Sequence, residues 1–205
     1  KSTLLYALSG MDTISSGEIT FQGHKISTFS EKQMASLRAK DFGFVFQQTH
    51  LVSNLTLFEN IAVAGYIAGS GAKEIQKRAS ELLVQMDVNG AKDRLSSQAS
   101  GGEAQRAAVA RAIINRPKLV FADEPTGALN RSNSEEVLNL LSSLNKSGQS
   151  ILMVTHDVHA AIRGNRILYL EDGKILDELA LSVYNAENAK EREATAMEWL
   201  SSLRW

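Results

Sequence analysis

The sequence specifies an α/β fold: a mainly parallel sheet, an inserted α-helical subdomain and a C-terminal helix. Three observations lead there. Residues 118–122 and 151–155 are short apolar runs of buried-strand length. Between them, residues 135–144 put Val137, Leu138, Leu141 and Leu144 on one helical face. Strand, helix, strand in that order favours a parallel pair. Residues 48–98 differ in texture: over 73–87, Ile75, Ala79, Leu82, Leu83 and Met86 share one face, with Lys73, Glu74, Lys77, Arg78 and Glu81 left for solvent. The core is therefore expected over 1–47 and 99–182, the helical subdomain over 48–98 and the terminal helix over 183–205.

Along the chain, residues 18–21 predict a short strand ended by Gly23. Residues 30–38 predict a helix, with Ser30 as cap and Gln33 three places on. A buried strand over 43–46 runs out at Gln47-Gln48. Residues 103–114 predict a helix opened by Ser100-Gly101-Gly102. A hairpin is expected from 166–170 and 174–176 about the turn Glu171-Asp172-Gly173. The last segment, 185–205, is charged first and then carries Met197, Trp199, Leu200 and Leu203, as a docked helix does.

Size and composition narrow the classes. With 205 residues, 43% of them hydrophobic, the chain can bury one full core. A formal net charge of −1 gives no global field to gather nucleic acid or anionic lipid. Cysteine is absent, which excludes disulfides and thiolate metal sites and fits a reducing compartment. No apolar run approaches the roughly 18–20 residues of a membrane-spanning helix. No signal-peptide pattern opens the sequence. Service to a membrane would run through a partner chain.

Two motifs carry the chemistry. Ser100-Gly101-Gly102 opens a helix whose first N–H groups and dipole favour an anion, and two glycines admit a close approach. The bland alternative is a serine cap after a flexible loop, with Arg106 and Arg111 simply solvated. Residues 119–124 end a buried strand in Asp123 and Glu124. Ligands bind at such strand ends in α/β folds. Asp123 can hold Mg²⁺ through a water, and Glu124 can polarise an attacking water. Alone, this pair equally fits an acidic strand end before the Pro125 turn. Lys1-Ser2-Thr3 reads as the end of a phosphate-binding loop: a lysine for the β- and γ-phosphates, a hydroxyl for Mg²⁺. By itself that tripeptide carries no weight. Gln47 at a strand end can touch Mg²⁺ and the water, and His156 follows the strand at 151–155, where a γ-phosphate contact is needed. His24, His50 and His159 have no comparable context.

In chain order, Lys1-Ser2-Thr3, Gln47 after a strand, Ser100-Gly101-Gly102, Asp123-Glu124-Pro125 and Thr155-His156-Asp157 resemble the ATP-binding subunit of ABC transporters, over nearly the whole chain. The resemblance implies a P-loop NTPase (RecA-like) core and a Mg²⁺-dependent ATPase. Lys1, Ser2 and Thr3 look like the end of Walker A, Gln47 like the Q-loop glutamine, and Ser100, Gly101 and Gly102 like the signature motif. Asp123 and Glu124 look like the Walker B aspartate and catalytic glutamate, and His156 like the switch histidine. On this reading Glu124, His156 and Gln47 are catalytic. Lys1, Ser2, Thr3, Ser100, Gly101 and Gly102 hold ATP, and Ser2, Gln47 and Asp123 hold the metal. Phe121 to Leu129, the stretch Gly43 to Gln47, Leu55 to Asn60 and the pattern from Glu198 to Trp205 resemble the macrolide-exporter, lipoprotein-release and bacitracin-resistance group. There the ATPase is a separate polypeptide that powers a membrane subunit for export or mechanical work.

The resemblance further implies a homodimer sandwiching ATP, an integral membrane permease as partner, no nucleic acid, and a bacterial protein held at the cytoplasmic face of the membrane. The glycine-rich half of Walker A, the first strands and the adenine-stacking aromatic are expected to precede residue 1. A polypeptide truly beginning at Lys1 is expected to hold ATP poorly. The signature reads Ala99-Ser100-Gly101-Gly102-Glu103, where the family favours leucine first and glutamine fifth. Asn130 stands where the group usually has aspartate, and Asn130→Asp is expected to speed hydrolysis. A clamp on DNA would need a long coiled-coil insertion after Gln47, and no sustained heptads occur there. A nucleotide sensor without turnover would not need Glu124 and His156.

Overall fold

The computed structural model describes residues 1–203. It divides into two compact units, one from Ser2 to Leu152, the other from Met153 onward together with Lys1.

The first unit opens on helix α1 (Ser2–Leu8), anchored by fully buried Leu5. A two-residue hairpin follows, β1 (Thr20–Phe21) against β2 (His24–Lys25). It turns at Gln22 and Gly23, with φ of 47° and 80°. The strand is shorter than the run of 18–21 suggests. Helix α2 (Glu31–Asp41) starts at Ser30 through a capping box: Ser30 Oγ accepts from the Gln33 N–H at 3.4 Å, and Gln33 Oε1 accepts from the Ser30 N–H at 2.8 Å.

Strand β3 (Phe42–Phe46) is mostly buried and pairs in parallel with β4 (Leu119–Asp123). Phe42 and Phe44 pack on Phe121 with ring centroids 5.0 and 5.6 Å apart. Strand β5 (Ser150–Val154) completes a sheet of order β3-β4-β5. Helix α6 (Arg131–Lys146) connects β4 to β5 and buries Val137, Leu138, Leu141 and Leu144, the face read from the sequence.

Between β3 and β4 lie α3 (Leu57–Ile67), α4 (Ala72–Gln85) and α5 (Gly101–Ile113). The α3 start was not visible as a helix in the sequence; Thr56 and Glu59 set it through a second capping box. Helix α4 buries Ile75, Ala79, Leu82 and Leu83 as its periodicity requires. Gly65 lets α3 approach α4, since a Cβ there would lie 2.2 Å from Ile75 Cδ1. Helix α5 begins two residues before the expected 103. It is buried on nearly every side, and α3, α4, α6 and β3 all pack on it. Gly43 permits its contact with β3: a Cβ there would sit 2.3 Å from the Ala112 carbonyl oxygen.

In the second unit, the short helix α7 (Val158–Ala161) is capped by Asp157, whose carboxylate accepts from the His159 N–H at 2.9 Å. Strands β6 (Arg166–Glu171) and β7 (Lys174–Ala180) form an antiparallel hairpin. Its turn is Asp172-Gly173, both at positive φ, 47° and 77°. β7 runs past the expected 176 to Ala180, and Arg166 pairs with Glu178 at 2.5 Å. Helix α8 (Ala189–Ser202) docks through Arg192 and Ala196. The buried Arg192 guanidinium donates to the carbonyls of Ile162, Gly164 and Ser182. Trp199 Nε1 donates to Asp177 Oδ2 at 2.9 Å, whereas Met197, expected on the docked face, is exposed. Trp205, the end of the terminal pattern, lies outside the described residues. Among the described residues no helix is long and apolar enough to cross a membrane.

Candidate functional site

The site grows from one register fact. Parallel pairing sets Phe46 opposite Asp123, so β3 and β4 end side by side. The next residues, Gln47 and Glu124, leave from that shared edge, where α/β sheets take ligands. Asp123 is itself buried, at 8% exposure. Ser2, the first residue of α1, donates from Oγ to Asp123 Oδ1 at 3.0 Å. Tyr6 stands one turn along α1, and its hydroxyl also donates to the Asp123 carboxylate. Burial first, then the Asp123 charge and this bond, push the Tyr6 phenol above its ordinary range.

Glu124 adopts φ 47°, the left-handed region that residues with a Cβ rarely enter. Its carbonyl accepts from the Gly127 N–H at 3.0 Å, closing a tight turn. Gln47 lies against that turn: a Cβ on Gly127 would come within 2.9 Å of Gln47 Nε2. Ser2, Gln47, Asp123 and Glu124 therefore gather at one sheet edge. Thr3 is exposed on α1.

Ser100 is the N-cap of α5. Its Oγ accepts from the Glu103 N–H at 3.2 Å, and Glu103 Oε2 accepts from the Ser100 N–H at 2.8 Å. One N–H expected to be open for an anion is thus taken by the helix's own cap. Gly101 is exposed; Gly102 is buried, and a Cβ on it would meet Asn133 Cγ at 2.7 Å, so glycine there also admits α6. The Glu103 carboxyl is held below its ordinary range by the hydrogen bonds from Ser100, with Arg94 and Arg106 adding positive charge. Arg94 Nη1 lies 3.2 Å from Glu103 Oε1. Asn130 caps α6, its Oδ1 accepting from the Asn133 N–H at 2.9 Å.

Lys1 and His156 fall in the second unit, where each is exposed, and His156 stands two residues past the end of β5. Neither arginine of α5 is simply solvated. Arg106 pairs with Glu136 at 2.5 Å, and Arg111, its pKa lowered by burial, donates to the carbonyls of Thr49 and His50 at 2.6 and 2.7 Å.

The sequence also concealed Tyr6, Gly127 and Gln105. Gln105 is 1% exposed, and its Nε2 donates to the Phe46 and Pro125 carbonyls at 2.9 and 2.7 Å. A signal existed: Gln105 is the polar residue on an α5 face otherwise made of Ala108, Val109 and Ala112.

The model of the ABC transporter family matches residues 1–127. The macrolide export ATP-binding/permease protein MacB of Wolinella succinogenes is 42% identical over 175 residues, 85% of this chain. The chain spans only 27% of that relative's length and no more than 32% of the other MacB relatives it matches. Their name joins an ATP-binding part to a permease part in one chain, so an ATPase on a separate polypeptide is not general among relatives of this sequence. The dimeric structure of a bacterial ABC transporter cassette superposes with a TM-score of 0.81 at 35% identity, covering 89% of this chain and 81% of that one. A dimeric post-hydrolysis state of an ATP-binding cassette, bound to ADP and Pi, gives 0.80 at 34% identity over the same shares. On these matches and this geometry, the chain belongs to the ABC transporter family and is one of its ATP-binding cassettes.

Proposed function

We propose that this chain binds ATP with Mg²⁺, hydrolyses it in a head-to-tail pair of copies, and thereby drives a permease at the cytoplasmic face of a membrane. The carrying observation is the Ser2 hydroxyl 3.0 Å from the Asp123 carboxylate, at the edge where Gln47 and Glu124 emerge.

Residues 1–47 and 99–182 form the ATP-binding core in this reading, 48–98 the helical subdomain and 183–205 the terminal helix. A hydroxyl and one carboxylate suit Mg²⁺, which takes few protein ligands and completes its shell with phosphates and water. Among the described residues no cluster of three or more His, Cys, Asp or Glu offers a self-sufficient metal site, which agrees with a metal that arrives with the nucleotide. Bound there, Mg²⁺ would neutralise charge on the phosphates. Lys1 holds the β- and γ-phosphates, with Thr3 beside it. Glu124 orients the attacking water and takes its proton as the new O–P bond forms and the bridging O–P bond breaks, the leaving charge passing to ADP. Gln47 steadies the same water and the metal, and His156 the γ-phosphate.

The Ser100–Gly102 turn makes its hydrogen bonds within its own helix and packs on α6. A second copy, related by a two-fold axis, would bring that turn to the γ-phosphate on the first. Both solved cassettes cited above are dimers. The nucleic-acid reading is not favoured, because the α-helices within residues 48–98 are the short α3 and α4, with no long coiled-coil insertion.

The test is phosphate release from ATP with Mg²⁺ across a range of protein concentration. Specific activity is expected to rise as copies pair, and to be indifferent to added DNA. No release at any concentration overturns the proposal.

A further inference from the structure

We propose that Gln105 is a positioning residue joining the two ATP sites of the pair: it ties the Ser100–Gly102 turn, which grips nucleotide on the twin, to Gln47 and Glu124 of its own hydrolytic centre. The inference rests on the ATP-sandwich reading above.

The geometry is specific. An amide NH₂ has two donor hydrogens in a fixed plane. Gln105 spends them on two carbonyls from different strand ends, at 2.9 and 2.7 Å. One belongs to Phe46, directly before Gln47. The other belongs to Pro125, directly after Glu124. Both bonds survive only for one placement of α5 against the two strand ends. Gln105 sits five residues into α5 from Ser100, about one and a half turns. The capping box at Ser100 and the packing of buried Ala107, Ala108, Val109 and Ala110 leave no joint in that helix, so it shifts as a rod. A pull at Ser100 is then delivered to the peptide groups beside Gln47 and Glu124. Gln47, resting on Gly127, moves with the same turn. A link that only filled space would need neither hydrogen, and a Met or Leu would serve.

The test uses the full chain and two variants. Gln105→Met keeps length but donates nothing. Gln105→Glu keeps shape, but its carboxylate cannot donate until protonated. Melting temperature, affinity for a fluorescent ATP analogue at low protein concentration, and hydrolysis against ATP concentration are measured for each. Wild type is expected to be sigmoidal, with a Hill coefficient approaching the number of sites. Both variants are expected to lose most of that cooperativity, with kcat down about tenfold, as small misplacements of catalytic groups cause. Single-chain nucleotide affinity should be unchanged. Relative to wild type, Gln105→Glu should recover in part as pH falls, because a carboxyl buried against two carbonyls is pushed toward its neutral form, whose single O–H can donate to one of them. Should Gln105→Met fail to fold, that recovery decides alone. Variants that keep the wild-type Hill coefficient, or a wild type hyperbolic in ATP, overturn the link while leaving hydrolysis intact. A wild type that releases no phosphate overturns the functional reading and the link with it.

Discussion

Glu124 holds a backbone conformation that costs a residue with a Cβ about 1–3 kcal/mol. The turn redirects the chain straight after Asp123, so the two adjacent acids part company: one accepts from Ser2, and the other takes the water's proton in the proposed reaction. Glu124→Gln keeps the shape and removes the basic oxygen. It is expected to retain nucleotide binding and to slow single-turnover hydrolysis about 10²–10⁴-fold; near-wild-type turnover would take Glu124 out of its role. Gly127 gives a quieter probe. A methyl there would press on Gln47, 2.9 Å from Nε2 and 3.1 Å from Cδ. Gly127→Ala should therefore push Gln47 aside and cut kcat about tenfold or more, because ångström-sized misplacement is costly in catalysis. Melting temperature and nucleotide affinity should hold. Asp123, Ser2 and Gln47 could be named from the sequence because each ends or begins an element with a recognisable pattern. Gly127 and Tyr6 could not: their roles depend on which side chain folding brings opposite, and one sequence states positions, not pairs.

The same division holds for the elements. Helix α2 is readable from its cap, and α4 and α6 from their apolar faces, because both are local properties. The start of α3 was missed although Thr56 and Glu59 spell a capping box, since its all-round apolar composition hides the period that marks a surface helix. Helix α5 carries charge at its start in an unusual form. Glu103 caps Ser100, pairs with Arg94 and lies at the positive end of the helix dipole. Its carboxyl is held below the ordinary 4.5 mainly by the hydrogen bonds from Ser100. A lowered carboxyl stabilises the fold fully above its unfolded value and loses that contribution as pH falls through the folded one. Glu103→Gln is thus expected to melt below wild type at neutral pH, and the gap should close well under pH 4.5. A gap independent of pH would mean the side-chain shape matters and the charge does not. At the other end of this contact, Asn130 caps α6. Asparagine and aspartate cap about equally well. Asn130→Asp should therefore leave melting unchanged while speeding phosphate release, and unchanged or slower release would count against the family-based reading of that loop.

For the assembled molecule the question is whether each ATP is shared between copies. Ser100 bonds within α5 while Asp123 bonds to Ser2, so the turn and the Ser2–Asp123 pair share no direct hydrogen bond. If the twin supplies the missing half, two broken proteins can repair one another. In Ser100→Arg, bulk and charge spoil the turn but Glu124 is intact. In Glu124→Gln the base is lost but the turn is intact. Each alone should be nearly inactive. Mixed in equal amounts and paired at random, half the dimers are mixed. Each mixed dimer then has one site with a sound Glu124 from one copy and a sound Ser100 from the other. Activity should return to well above the sum of the two variants, up to about a quarter of wild type, since half of the dimers work at one of two sites and coupling between sites lowers that figure. If a single copy instead carried the whole site, every active centre in the mixture would keep its lesion. The phosphate-release assay would then read only the sum of two inactive proteins, whatever their ratio.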